Sequence, residues 1–238
     1  MILTAFLLLF VFGTFYFWFV LRVWRGLSNL RSHSVANKRI PFVSVVVAAR
    51  NESGTIEKCI SMILEQDYPR SKFEVIVVDD SSSDSTADLV RKMVKKFKNL
   101  RLYKLSPSRN ESIGRKPESV ALAVSVAKGE IILTTDADCQ VPRTWLKSMT
   151  KDFAGDVMFQ AGPVVEMQTG SFLNEVESLE FMSLIVTGAG LIGAGRPIIC
   201  NGANLAYRKS AFKAVQGFEG TASSNDDETL MQRICNRN

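Results

Sequence analysis

Histidine is nearly missing from this 238-residue chain, which has only His33. A Ser/His or Cys/His nucleophile pair and a histidine-rich metal centre therefore have little basis, and acid–base work falls to carboxylates. Cysteine is sparse and scattered: Cys59, Cys139, Cys200 and Cys235 form no C-x₂-C pair. That argues against a zinc module and a secreted disulfide scaffold, and fits reduced thiols in a cytosolic domain. Acidic residues are absent between Met1 and Phe42, so the formal charge of +5 is concentrated at one end. No G-x-G-x-x-G follows the first apolar run after Pro41, which weighs against a dinucleotide-binding domain. Internal repeats and low-complexity tracts are missing too, and disorder is expected only near residues 28–40.

What remains is a chain of 46% hydrophobic and 22% charged residues, long enough for one ordinary domain plus a separate apolar segment. That segment is "ILTAFLLLFVFGTFYFWFVL", residues 2–21, without a charge and of the length that crosses a ~30 Å hydrocarbon core. No basic region precedes it and no A-x-A-like site follows it, so an anchor is preferred to a cleaved signal peptide. Tyr16, Trp18 and Trp24 suit an interfacial belt, and Arg22, Arg25, Arg31, Lys38 and Arg39 mark the cytoplasmic side. The predicted organisation is a transmembrane helix over 1–21, a basic juxtamembrane linker over 22–41, and a cytoplasmic domain over 42–238. The second basic cluster, "RKMVKKFK" (91–98), carries Met93, Val94 and Phe97 at helical spacing and reads as the wet face of a surface helix; nucleic acid is not an expected partner.

From Phe42 onward, apolar runs rich in β-branched residues alternate with amphipathic stretches. "FVSVVVAAR", "FEVIVVDD", "LRLYKL" and "EIILTTDAD" read as strands, and "NESGTIEKCISMILEQ", "DSTADLVRKMVKKF" and "RKPESVALAVSVAKG" as helices. Ser53 or Thr55 is the expected cap of the first helix, Pro117 fits a first helical turn, and Gly129 a helix exit. Strand–helix alternation predicts an α/β fold, a mostly parallel sheet with helices on both faces. Ligands in such sheets bind at the carboxyl ends of the strands, which gathers residues 50–52, Asp79, Asp80 and 136–138 on one edge. In "LTTDADC" (133–139), Asp136 and Asp138 are two apart, and an extended chain would point both the same way, toward one cation or simply into a turn.

Six stretches carry a resemblance: "VSVVVAARNE" (43–52), "EVIVVDDSSSDST" (74–86), "GRKPESVALA" (114–123), "GEIILTTDADC" (129–139), "NGANLAYRKSAF" (201–212) and "DDETLMQR" (226–233). Together, and in this order, they resemble the membrane-associated family 2 glycosyltransferases with a GT-A nucleotide-sugar-binding fold. The resemblance implies that Asp80 accepts a hydrogen bond from the nucleotide base, that Ala48, Arg50 and Glu52 line the nucleotide pocket, and that Lys116 lies near the donor. It implies a divalent metal, Mg²⁺ or Mn²⁺, with Asp138 as direct ligand and Asp136 contacting the ribose and the metal shell. Asp227 becomes the general base of an inverting transfer. Its neighbour Asp226 stands where the family more often has Glu, and Thr229 where it more often has Asp; an acidic helix N-terminus explains the same stretch structurally.

The implied partners are a nucleotide-sugar donor, expected to be a UDP-sugar, a glycan or lipid-linked acceptor, and the membrane. "NGAN" (201–204) would border the acceptor site on the resemblance alone. "FMSLIVTGAGLIGAG" (181–195), fifteen residues and glycine-rich, reads as a core or membrane-facing helix and loop rather than a span. Many membrane members continue past the position of Asn238 with a Q-x-x-R-W segment and further spans, so the chain is expected to be a short non-processive form or, by preference, part of a longer enzyme. Two other functions compete. A sugar-phosphate nucleotidyltransferase shares the sheet, but "AARNESG" lacks its glycine-rich loop; a truncated, inactive domain would bind nucleotide or a partner without turnover.

Overall fold

The computed structural model describes residues 2–30, 39–106, 115–153, 155–167, 170–219 and 226–237. Part of the basic linker (31–38, with His33), Gly114 and the residues just before Asp226 lie outside the described residues. In chain order the elements are α1 (Ile2–Asn29), β1 (Val43–Ala49), α2 (Ile56–Leu64), β2 (Phe73–Asp79), α3 (Thr86–Val94), β3 (Leu100–Lys104), α4 (Lys116–Val126), β4 (Ile131–Asp136), α5 (Trp145–Thr150), β5 (Phe159–Ala161), α6 (Phe172–Gly193), β6 (Leu205–Arg208), α7 (Lys209–Ala214) and α8 (Asp226–Asn236). They group into two compact units, one holding α1 and α6, the other the sheet and the remaining helices.

In the larger unit the six strands run in the order β3-β2-β1-β4-β6-β5. β3, β2, β1 and β4 are parallel, as expected from the strand–helix alternation; β6 runs antiparallel to both β4 and β5. Every residue of β2 is buried, and β1 is buried except at Ala48, so the apolar runs are sandwiched between helices. Ile56, Ile60 and Ile63 recur at helical spacing on α2 and are fully buried against this sheet. Each such side chain contributes about 1.5–3 kcal/mol by leaving water. Register places the strand ends together: Ala49 pairs with Asp79, and Ala48 with Asp136.

The opposite edge is tied by a buried polar network. Glu74 accepts from Ser44 Oγ (2.6 Å), Lys128 N (2.7 Å) and Arg101 Nη2 (2.6 Å), and Ser44 Oγ accepts from Gly129 N (2.8 Å). Gly129 is therefore not the helix exit expected from the sequence. α4 ends at Val126, and the glycine is needed because a Cβ there would lie 2.4 Å from Ser44 N. Pro117 does occupy the first turn of α4, and Thr55 the cap position of α2.

In the smaller unit, α1 continues past Leu21 to Asn29, so Arg22 and Arg25 are helical rather than in a linker. α6 starts at Phe172, well before the apolar run 181–195, because Ser171 Oγ caps it by accepting from Asn174 N. Both helices are long and apolar enough to cross a membrane. They touch backbone to backbone: a Cβ on Gly26 would lie 1.8 Å from Gly190 O, and one on Gly193 would lie 2.0 Å from Gly26 O. Small residues at such a crossing let helices approach closely.

Candidate active site

Two strand-end loops build the rim. Asn51 and Ser81, just past β1 and β2, adopt φ values of 56° and 58°, a left-handed conformation uncommon outside glycine. Cross-links between the loops hold it. Asn51 Oδ1 accepts from Ser83 N (2.8 Å), Thr86 Oγ1 accepts from Glu52 N (2.7 Å), and Asp84 Oδ2 accepts from Ser53 N (3.1 Å). The Thr86 hydroxyl, donating to Asp84 Oδ1, holds Asp84 well below the usual carboxylate range, with Thr86 N and Ser53 N adding to it. Glu52 accepts from Thr55 Oγ1 (2.7 Å), which orders the entry to α2.

Asp80, at the end of β2, is almost fully buried. Arg115 grips it: the backbone N donates to Oδ2 (2.6 Å), and Nε and Nη2 donate to Oδ1 (3.1 and 2.9 Å). Arg50 adds a longer ion pair at 3.6 Å. Arg115 was missed by sequence reasoning, which singled out only its neighbour Lys116. A basic residue immediately before a helix start was the available signal.

The second cluster is acidic and centred on Lys116. Its Nζ lies 2.6 Å from Asp136 Oδ1 and 3.9 Å from Asp227 Oδ2, joining the end of β4 to the first turn of α8. Burial alone would lower the Lys116 pKa, but Asp136 and then Asp227 overcome it and raise it. The Asp227 carboxyl is pushed up to about 7, mainly by burial, with Lys116 pulling the other way and Asp226 adding repulsion. Asp226 is buried, and its Oδ2 has no hydrogen-bond partner among the described residues. Beneath them Tyr207 is fully buried, stacked between Phe159 and Phe212, and its hydroxyl is pushed far above its ordinary range by burial.

Asn201–Asn204 packs into this cluster. A Cβ on Gly202 would lie 1.8 Å from Asp227 Oδ2, so the glycine makes room for the carboxylate. Thr134 Oγ1 donates to Gly202 O (3.0 Å), and Trp145 Nε1 donates to Asn204 Oδ1 (2.9 Å).

Asp136 and Asp138 are not related as neighbours on one strand face. β4 ends at Asp136, the chain turns at 137–138, and Asp138 is exposed while Ala137 is buried. Among the described residues no cluster of three or more His, Cys, Asp or Glu side chains is assembled for a metal. The donor chemistry of Asp136 nonetheless suits a hard divalent ion. Asp136 already holds a cation, the Lys116 ammonium, and two carboxylates completed by phosphate oxygens are the usual protein share of a Mg²⁺-type site. Cys59 lies behind the turn, donating its thiol to Asp136 O (3.5 Å); burial pushes it up to about 12, so it is an inert thiol.

The sequence profile described as Glycosyl transferase family 2 matches residues 44–215. The chain belongs to glycosyltransferase family 2. The solved structure of the mannosyltransferase PcManGT from Pyrobaculum calidifontis, in complex with GDP-Man and Mn²⁺, is similar at a TM-score of 0.69 and 26% identity, over 91% of this chain and 59% of that one. The fold is thus GT-A, as the resemblance of the six stretches implied. Glycosyltransferase AglE of Haloferax volcanii is 30% identical over 127 residues, 53% of this chain and 40% of that protein. The β-monoglucosyldiacylglycerol synthase of Trichormus variabilis is 34% identical over 102 residues, 43% of this chain and 21% of that enzyme. This family 2 chain spans less than half the length of either curated relative.

Proposed function

We propose that the chain is the catalytic part of a membrane-anchored, inverting glycosyltransferase that moves a sugar from a nucleoside diphosphate donor to a hydroxyl of a glycan or lipid-linked acceptor. The observation that carries this reading is the meeting of Asp136, Lys116 and Asp227 at the carboxyl edge of the sheet. Asp80 and the loops through Ala48, Arg50 and Glu52 would hold the nucleoside. Ala48 is the one position of β1 that is not buried, and its register partner is Asp136, which supports a base or ribose lying across these two strands.

Asp138 and Asp136 would hold Mg²⁺ or Mn²⁺. When bound, the ion neutralises charge on the departing diphosphate. Lys116 adds a mobile point charge beside the same phosphates. Asp227 takes the proton from the acceptor hydroxyl as its oxygen bonds to the sugar carbon and the bond to the diphosphate breaks. A carboxyl near pKa 7 suits that task, since it is basic enough to accept the proton yet about half ionised at neutral pH. Asp226 raises its basicity by repulsion. The mannosyltransferase bound to GDP-Man widens the expected donor beyond UDP-sugars to GDP-sugars.

For location, α1 is taken to cross the membrane, with Arg22 and Arg25 at its cytoplasmic end and the catalytic domain in the cytoplasm. Purified full-length protein in detergent, given a panel of UDP- and GDP-sugars with Mn²⁺, should release nucleoside diphosphate from one donor and yield an inverted anomer by NMR. No release with any donor above the Asp227→Asn background would reject the assignment.

A further inference from the structure

One face of α1 carries Val11, Phe15, Trp18, Arg22, Arg25 and Asn29, at alternating spacings of four and three residues. Its lower part, with Ala194 from the end of α6, lines a cavity of about 320 Å³. Its upper part, with Phe10 and Thr14, forms an apolar groove of about 580 Å³, and Trp18 belongs to both. The feature is therefore continuous and amphipathic, greasy at one end and cationic at the other.

The Arg22 guanidinium carbon lies 5.3 Å from the Trp18 ring centroid. Its Nε is buried without a hydrogen-bond partner among the described residues. Buried guanidinium N–H groups are ordinarily paired, so this donor calls for an acceptor. Among the described residues no ion pair joins Arg22 or Arg25 to a carboxylate. No acidic residue occurs before Phe42, and Glu180, the nearest acid of α6 in sequence, precedes Ala194 by about 20 Å of helix. The two arginines follow directly on the uncharged stretch, so in a bilayer they stand at headgroup depth, with the apolar groove running into the acyl region.

We propose that this cavity binds the phosphate of an anionic membrane glycerophospholipid, with Arg22 and Arg25 holding the headgroup and the groove through Phe15 and Val11 seating an acyl chain. The inference rests on the reading of α1 as a membrane anchor. A planar guanidinium stacked on Trp18 presents a fork to phosphate oxygens that an ammonium does not.

The test is native mass spectrometry of the full chain released from nanodiscs of phosphatidylcholine containing phosphatidylglycerol. The expected result is retained phosphatidylglycerol, with retention falling about tenfold or more in R22Q/R25Q and falling also in R22K/R25K. Equal retention by R22K/R25K would mean charge alone recruits the lipid and would overturn a built site. So would equal retention by R22Q/R25Q, or no phosphatidylglycerol on the wild type. Displacement by millimolar inorganic phosphate would assign the site to a soluble anion instead and also overturn the lipid. Carbonate extraction run in parallel tests the anchor separately: wild type and variants should stay in the membrane fraction, and release of the wild type would reject the anchor itself.

Discussion

The ammonium of Lys116 lies 2.6 Å from Oδ1 of Asp136, on the carboxylate that a divalent ion is expected to share with Asp138. On the proposed reading, ammonium and metal would compete for this carboxylate until a diphosphate engages both. Lys116→Ala should tighten Mn²⁺ binding to the nucleotide-free protein several-fold, as read by manganese paramagnetic resonance, while lowering sugar transfer about tenfold or more. Unchanged Mn²⁺ affinity would separate Lys116 from the metal shell.

Asp227 gives a pH signature with two readouts. As a base it works deprotonated, so transfer should rise as pH passes through about 7 and level off above. Because its folded pKa is raised from 3.8, its contribution to stability is full below about 4 and is lost as pH rises to about 7. Asp227→Asn should lower transfer by ~10²- to 10⁴-fold while leaving nucleotide binding intact. The same variant should gain thermal stability relative to wild type at pH 8 and not at pH 4. A dead variant without that gain would point to misfolding rather than lost base catalysis.

Gly202→Ala probes positioning. The added methyl would have to displace the Asp227 carboxylate, and a misplacement near 1 Å can cost about 10²-fold in rate. Transfer should drop on that scale with donor affinity unchanged, since the contact is the end of a side chain rather than backbone. Full activity would show that Asp227 tolerates movement and is not held for catalysis.

Arg115→Ala removes the two guanidinium hydrogen bonds to Asp80 and leaves the buried carboxylate with the Arg115 backbone N and the more distant Arg50. The backbone bond can persist, so the loss is that of the guanidinium, a cost of about 1.5–3 kcal/mol in denaturant unfolding. Donor affinity should weaken with it, and Arg115→Lys should rescue only part, because one ammonium cannot reproduce the two-pronged contact.

The parallel part of the sheet was legible because strands buried on both faces leave near-continuous apolar runs such as "VSVVVAA" and "FEVIVVD". β5 and β6 were not. β5 is only three residues long, and β6, "LAYR", was hidden inside a stretch quoted for its resemblance; both are fixed by antiparallel pairing with distant partners rather than by local pattern. Strand-end logic brought Asp80 and Asp136 to one edge, but the i, i+2 argument for Asp136 and Asp138 failed because the strand stops between them. Arg115 was not singled out, and Gly202 was noted only within "NGAN", for a related reason. Their importance lies in what they touch, Asp80 and Asp227, from far away in sequence.

Metal-assisted donor binding is measured most directly by calorimetry of UDP and GDP on the full chain, with Mn²⁺ and with EDTA, on wild type and Asp138→Ala. One nucleotide should bind the wild type with Mn²⁺, and that binding should be lost in EDTA and in Asp138→Ala alike. Equal affinity with Mn²⁺ and EDTA, or undiminished Mn²⁺-dependent binding by Asp138→Ala, would contradict the site built here on Asp136 and Asp138.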